Sequence, residues 1–140
     1  MQTRLAALAI LGLVLPLTAS AEEKPAAVKE IDVKALKVPV PRDGDVMKPT
    51  KITSADELAK AIPDEAAQTA IKKEVDFATQ QLLLFAWGGS GQDKLSFVTT
   101  EGKNEVVFVL KRGLTNDFRP HVHLFVLPKD ATFKIGTAAR

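Results

Sequence analysis

Apolar positions change their spacing twice along this chain, and each change marks a different kind of segment. The first is a nearly unbroken apolar run from Leu5 to Leu17, interrupted by Gly12 and Pro16. Between Ser54 and Val75 the apolar residues fall three and four apart, the period of a helix with one buried face. From Leu82 onward they alternate or run together in short blocks separated by turn residues, the mark of strands.

The helical part divides at Pro63-Asp64. Ser54-Ala55-Asp56-Glu57 has the form of a capping box, in which the serine oxygen accepts an orphan backbone N–H and the glutamate reaches back. Leu58 and Ile62 then share one face. A second helix from about Glu65 to Glu74 carries Ala67, Ala70, Ile71 and Val75 inside, with Gln68, Lys72 and Lys73 outside. Both are too short to be stable alone and must dock.

Strands are expected at Leu82–Trp87, Leu95–Thr100, Glu105–Lys111, Arg119–Leu127 and Thr132–Ile135. The continuously apolar run at Leu82 suits a central strand buried on both faces. Helices followed by strands, joined by turns too short for crossovers, predict an α+β domain. In it, two short N-terminal helices pack on an antiparallel meander of about four to five strands.

The ends of the chain set its context. Arg4, the apolar run and Ala19-Ser20-Ala21 have the order of a cleavable secretory signal peptide. The run is shorter than the roughly 20 residues a spanning helix needs, and no second apolar segment could span a membrane. The expected division is a leader at residues 1–21, a linker or mobile arm at 22–46, and a single α+β domain at 47–140. Within the arm, Leu36, Val38 and Val40 alternate with Lys37 and Pro39, as in an edge strand. The expected destination is secretion or the bacterial periplasm. Cysteine is absent, so a lipoprotein anchor is excluded and burial rather than disulfides must hold the domain together.

Charge removes one class of partner. The chain has 19 Lys and Arg against 17 Asp and Glu, and losing Arg4 with the leader brings it within one charge of balance. Nucleic-acid binding needs a strong basic excess.

A meander places the Gly88–Lys94 and Arg112–Phe118 loops at the same end. Trp87, Ser90, Gln92, Asp93, Arg112, Asn116, Asp117, Arg119, His121 and His123 then gather along one rim, where loops held by a scaffold usually carry function. The opposite rim has only the Glu101 turn and the Pro128-Lys129 bend. Three chemistries are conceivable at the populated end. Gly88-Gly89-Ser90-Gly91 lacks the helix and lysine that a phosphate loop requires, and reads as a flexible hairpin loop. His121-x-His123 puts two imidazoles on one side of a strand about 7 Å apart, a pair that could chelate a metal if Asp93 or Asp117 completed the set. Ser90, His121 and Asp93 could form a nucleophilic triad, although no Gly-x-Ser-x-Gly elbow surrounds the serine. Trp87 can be a stacking platform or core.

Val75-Asp76-Phe77, the apolar Leu82–Trp87 strand, a glycine loop, two strands, and the segment from Pro120 to Pro128-Lys129 together resemble the C-terminal domain of the PrcB type. That domain is named for an accessory subunit of a bacterial protease complex. The likeness covers Val75 to Ile135, about half the chain. The family's loop often reads Thr-Gly-Gly-Tyr, where this chain has Gly-Gly-Ser-Gly and no tyrosine. The resemblance implies a non-catalytic accessory or binding domain.

The expected function is therefore an exported, non-enzymatic domain that binds a secreted protease or other envelope protein through the rim, and it calls for no cofactor. The alternatives are a metal-binding protein using His121 and His123, or a small hydrolase.

Overall fold

Two runs in this sequence are apolar on both faces of a strand, and they settle next to each other. The computed structural model describes residues 27–139; the expected leader lies outside them. In chain order the elements are β1 (Lys29–Ile31), β2 (Thr50–Ile52), α1 (Ala55–Ala61), α2 (Glu65–Lys72), β3 (Gln80–Ser90), β4 (Lys94–Thr99), β5 (Glu105–Lys111), β6 (Phe118–Pro128) and β7 (Thr132–Thr137). β3 and β6 pair antiparallel over their full length, from Gln80 opposite Pro128 to Ser90 opposite Phe118. They form the centre of a four-stranded sheet in the order β1-β6-β3-β2. A three-stranded outer sheet has the order β4-β5-β7.

The fold is α+β, as expected, with seven strands rather than five and with the helices after β1 and β2 rather than at the N-terminus. The single meander is not formed. β3 pairs with β6 and not with β4, and β7 runs parallel to β5. The reason lies in the side chains. Leu82–Phe85 and Leu124–Leu127 are buried on both faces, so each needs a layer above and below. β4, β5 and β7 alternate, with only one face to bury.

Three layers result. Leu82, Leu84, Leu124 and Val126 face the helices and pack with Ile52, Leu58, Ile62, Ala67 and Ile71. Leu83, Phe85, Trp87, Phe125 and Leu127 face the outer sheet and meet Val106, Phe108 and Leu110. The far side of the outer sheet, with Ser96, Val98 and Lys134, is exposed.

Helix α1 begins as the capping box foretells, with Ser54 Oγ accepting from Glu57 N at 3.2 Å. The Glu57 carboxylate reaches one residue past the cap, to Thr53 N at 2.6 Å and the Thr53 hydroxyl at 2.9 Å. Ser54→Ala is expected to lower stability by about 1 kcal/mol, read as a small drop in melting temperature. The edge strand lies at Lys29–Ile31, against β6, and not at Leu36–Val40. Pro39 and Pro41 remove ladder donors there, and Leu36 and Val38 pack against the helix-side cluster as irregular chain. Among the described residues no helix is long and apolar enough to cross a membrane.

Candidate functional site

The Gly88–Lys94 and Arg112–Phe118 loops do meet at one end of the molecule, by a different route from a meander. Each carries the chain from one sheet to the other, β3 to β4 and β5 to β6. The corner they form is built around one carboxylate. Asp93 has a side chain only 1 % exposed, and it accepts from Gly113 N at 2.8 Å, Trp87 Nε1 at 3.1 Å and Arg112 Nη1 at 3.3 Å. Burial pushes its pKa up. The Gly113 amide, the Trp87 indole, Arg112 and His121 outweigh that together, and hold the carboxyl below its ordinary value. Gly89 makes the approach feasible, because a Cβ there would run into the Asp93 carboxylate and crowd Trp87 Nε1.

Trp87 is core rather than platform. It is 1 % exposed, and its ring lies nearly parallel to those of His121 and His123, with centroids 4.8 and 5.5 Å away. The His121 pairing follows from the register, since the two residues are direct cross-strand partners. His121 Nε2–H donates to the Ser90 carbonyl at 2.7 Å, and His123 Nδ1–H donates to Glu30 Oε1 at 2.7 Å.

These bonds bear on the alternative chemistries. Ser90 Oγ pairs with the Thr115 hydroxyl and accepts from Gln92 N, while the Ser90 carbonyl accepts from His121 Nε2 and from the Asp93 backbone N–H. The Asp93 carboxylate bonds neither Ser90 nor His121. The three are neighbours without the relay a nucleophilic serine needs. The histidine pair does share one side of β6, but the carboxylates that would complete a metal site are committed elsewhere. Asp93 is enclosed as described. Asp117 accepts from Gly91 N at 3.2 Å and Arg119 Nε at 3.2 Å. Hydrogen bonds from Thr115, Gly91 and Arg119 bring its pKa down to about 2. Among the described residues no group of three His, Cys, Asp or Glu is placed to hold a metal ion.

The outward side of the corner was not legible in the sequence. Leu114 is 78 % exposed and Phe118 72 %, the most exposed of the large apolar side chains among the described residues. Phe118 also lies against Gly88, where a Cβ would collide with its ring. Two apolar residues inside a turn otherwise built of Arg, Gly, Thr, Asn and Asp were the available signal. Beside them lies a cleft of about 520 Å³ that includes Gln92, Lys94, Lys111, Arg112, Leu114 and Ala138. Searches of family models, curated proteins and solved structures return no match to this chain.

Proposed function

We propose that this is an exported, non-enzymatic binding or accessory domain that engages a protein partner through the Gly88–Lys94 and Arg112–Phe118 loops at one end of its sheets. A secreted protease or another envelope protein is the candidate partner, in keeping with the resemblance of Val75–Ile135 to the PrcB-type domain. The observation that carries the reading is the pairing of exposure with restraint in the Arg112–Phe118 loop. Leu114 and Phe118 stand in solvent, while the loop beneath them is fastened by Gly113 to Asp93, Thr115 to Ser90 and Asp117 to Gly91. An apolar anchor already held in place loses little conformational entropy on binding. Exposed apolar residues are common singly, whereas two on one restrained loop fit a contact surface.

Site-specific photo-crosslinking tests this. A photoreactive side chain at position 114 or 118 is expected to yield a discrete adduct in the envelope fraction. The same group at Met47 or Val98, also exposed, should not. Phe118→Ser gives up the contact of the ring with Gly88 and should lower stability by only about 1 kcal/mol, while weakening capture by roughly tenfold or more. Equal labelling at all four positions would retire the rim.

A further inference from the structure

Lys94 and Lys111 sit directly opposite each other at the end of the β4–β5 ladder. Like charges in that position repel, and neither lysine makes an ion pair with any described residue. Both point to the outward face of the outer sheet, because Leu95 on β4 and Leu110 on β5 point inward to the core. A fold with no use for positive charge there had an inexpensive remedy, a single acidic residue at either position. Both lysines instead line the cleft of about 520 Å³, together with Arg112, the exposed Leu114 and the small Ala138.

We propose that this cleft holds an acidic peptide segment, with Lys94 and Lys111 receiving its carboxylates and Leu114 an apolar neighbour. The inference rests on reading the adjoining loops as an interaction rim, and names the chemistry that one flank of that rim takes. A phosphate group is disfavoured by where the loop amides point. Backbone N–H groups are what cradle a phosphate, and those at Gly91, Gln92 and Gly113 are already given to Asp117, Ser90 Oγ and Asp93. Arg112, the residue suited to a bidentate grip, is turned to Asp93. What remains is two flexible ammonium groups beside an apolar wall, which suits carboxylates carried on a chain with apolar side chains.

The test uses fluorescence anisotropy with the purified protein and a fluorescein-labelled hexapeptide of alternating Leu and Glu. The peptide is expected to bind, to weaken with added salt, and to lose binding when Gln replaces Glu. Lys94→Glu and Lys111→Glu should each weaken it by roughly tenfold or more, the scale of a lost charge-assisted hydrogen bond. Lys111→Glu now faces Lys94 with opposite charge, so its melting temperature should equal or exceed that of the parent, which separates lost binding from lost fold. Absence of binding to the parent, or undiminished binding to the Lys94→Gln, Lys111→Gln double variant, overturns the proposal. So does displacement by inorganic phosphate or phosphoserine beyond that by chloride at equal ionic strength, which would mark a phosphate site. Adducts at positions 114 and 118 that persist through any of these failures leave the rim reading standing.

Discussion

Asp93→Ala is expected to destabilise the protein by about 3–5 kcal/mol, because two enclosed donors, Trp87 Nε1 and Gly113 N, lose their acceptor together. Its carboxylate is the common acceptor for Trp87 Nε1, Gly113 N and Arg112. Removing it strands the indole N–H of a residue that is 1 % exposed and frees the base of the Arg112–Phe118 loop. Each buried donor left unmatched costs about 1–3 kcal/mol. In a domain of this size, a loss of that order is a drop of roughly 10–20 °C in melting temperature, measurable by calorimetry at neutral pH. Asp93→Asn keeps one acceptor oxygen but turns an NH₂ toward a donor, and should recover only part of the loss. A change under about 1 kcal/mol for both variants would mean that the corner is not closed in solution.

The same carboxylate makes a pH prediction. Its pKa is depressed in the folded state, so below the ordinary value of 3.8 the unfolded chain takes up the proton first. Stability therefore rises with pH through that window. The contribution of Asp93 is fully present above the unfolded value and is lost as pH falls through the lowered folded one. The gap in stability between the parent and Asp93→Ala should be flat from about pH 5 to 8 and shrink below about pH 4.

How this fold relates to its sequence turns on the difference between faces and partners. Local spacing identifies which face of an element is buried, and it placed Ser54 at a cap, Ile71 on an inner stripe and Leu82–Phe85 in a central strand. Choosing which strand lies beside β3 is a non-local decision, and short connections favour the next strand in sequence. The overlooked clue was the run Leu124–Leu127, apolar without alternation, which needs a central place as much as Leu82–Phe85 does. The rim residues gathered despite the wrong topology because both sheet-to-sheet crossings fall at one end. What spacing could not reveal was that Asp93 is buried. A tryptophan ending an apolar strand must find a partner for its N–H, and the nearest acidic residue, six positions on, answers that need. The opposition of Lys94 and Lys111 was within reach, since it follows from counting outward from the Glu101–Asn104 turn.

Phe108→Ala is expected to cost about 3–5 kcal/mol, the usual range for emptying a buried phenylalanine site. Phe108 is fully buried, and its ring centroid lies 4.8 Å from that of Phe85, 4.9 Å from Phe125 and 6.3 Å from Phe97. It is the largest fully buried side chain on the outer sheet, whereas Val109, the next residue on β5, is half-buried on the outward face and should cost much less when cut to Ala. Loss of Phe108 alone would also be felt in a single sheet, so the decisive measurement is its coupling to Phe85. In a meander of β3, β4, β5 and β6, those two strands would lie two spacings apart, about 9.6 Å, with little direct interaction. Facing each other across two sheets at 4.8 Å, the rings should couple by about 0.5–1.5 kcal/mol beyond their separate burial. A Phe85→Leu, Phe108→Leu cycle in urea measures that quantity. A coupling indistinguishable from zero would favour strands in chain order over two sheets packed face to face, because only the packed arrangement makes these two rings neighbours.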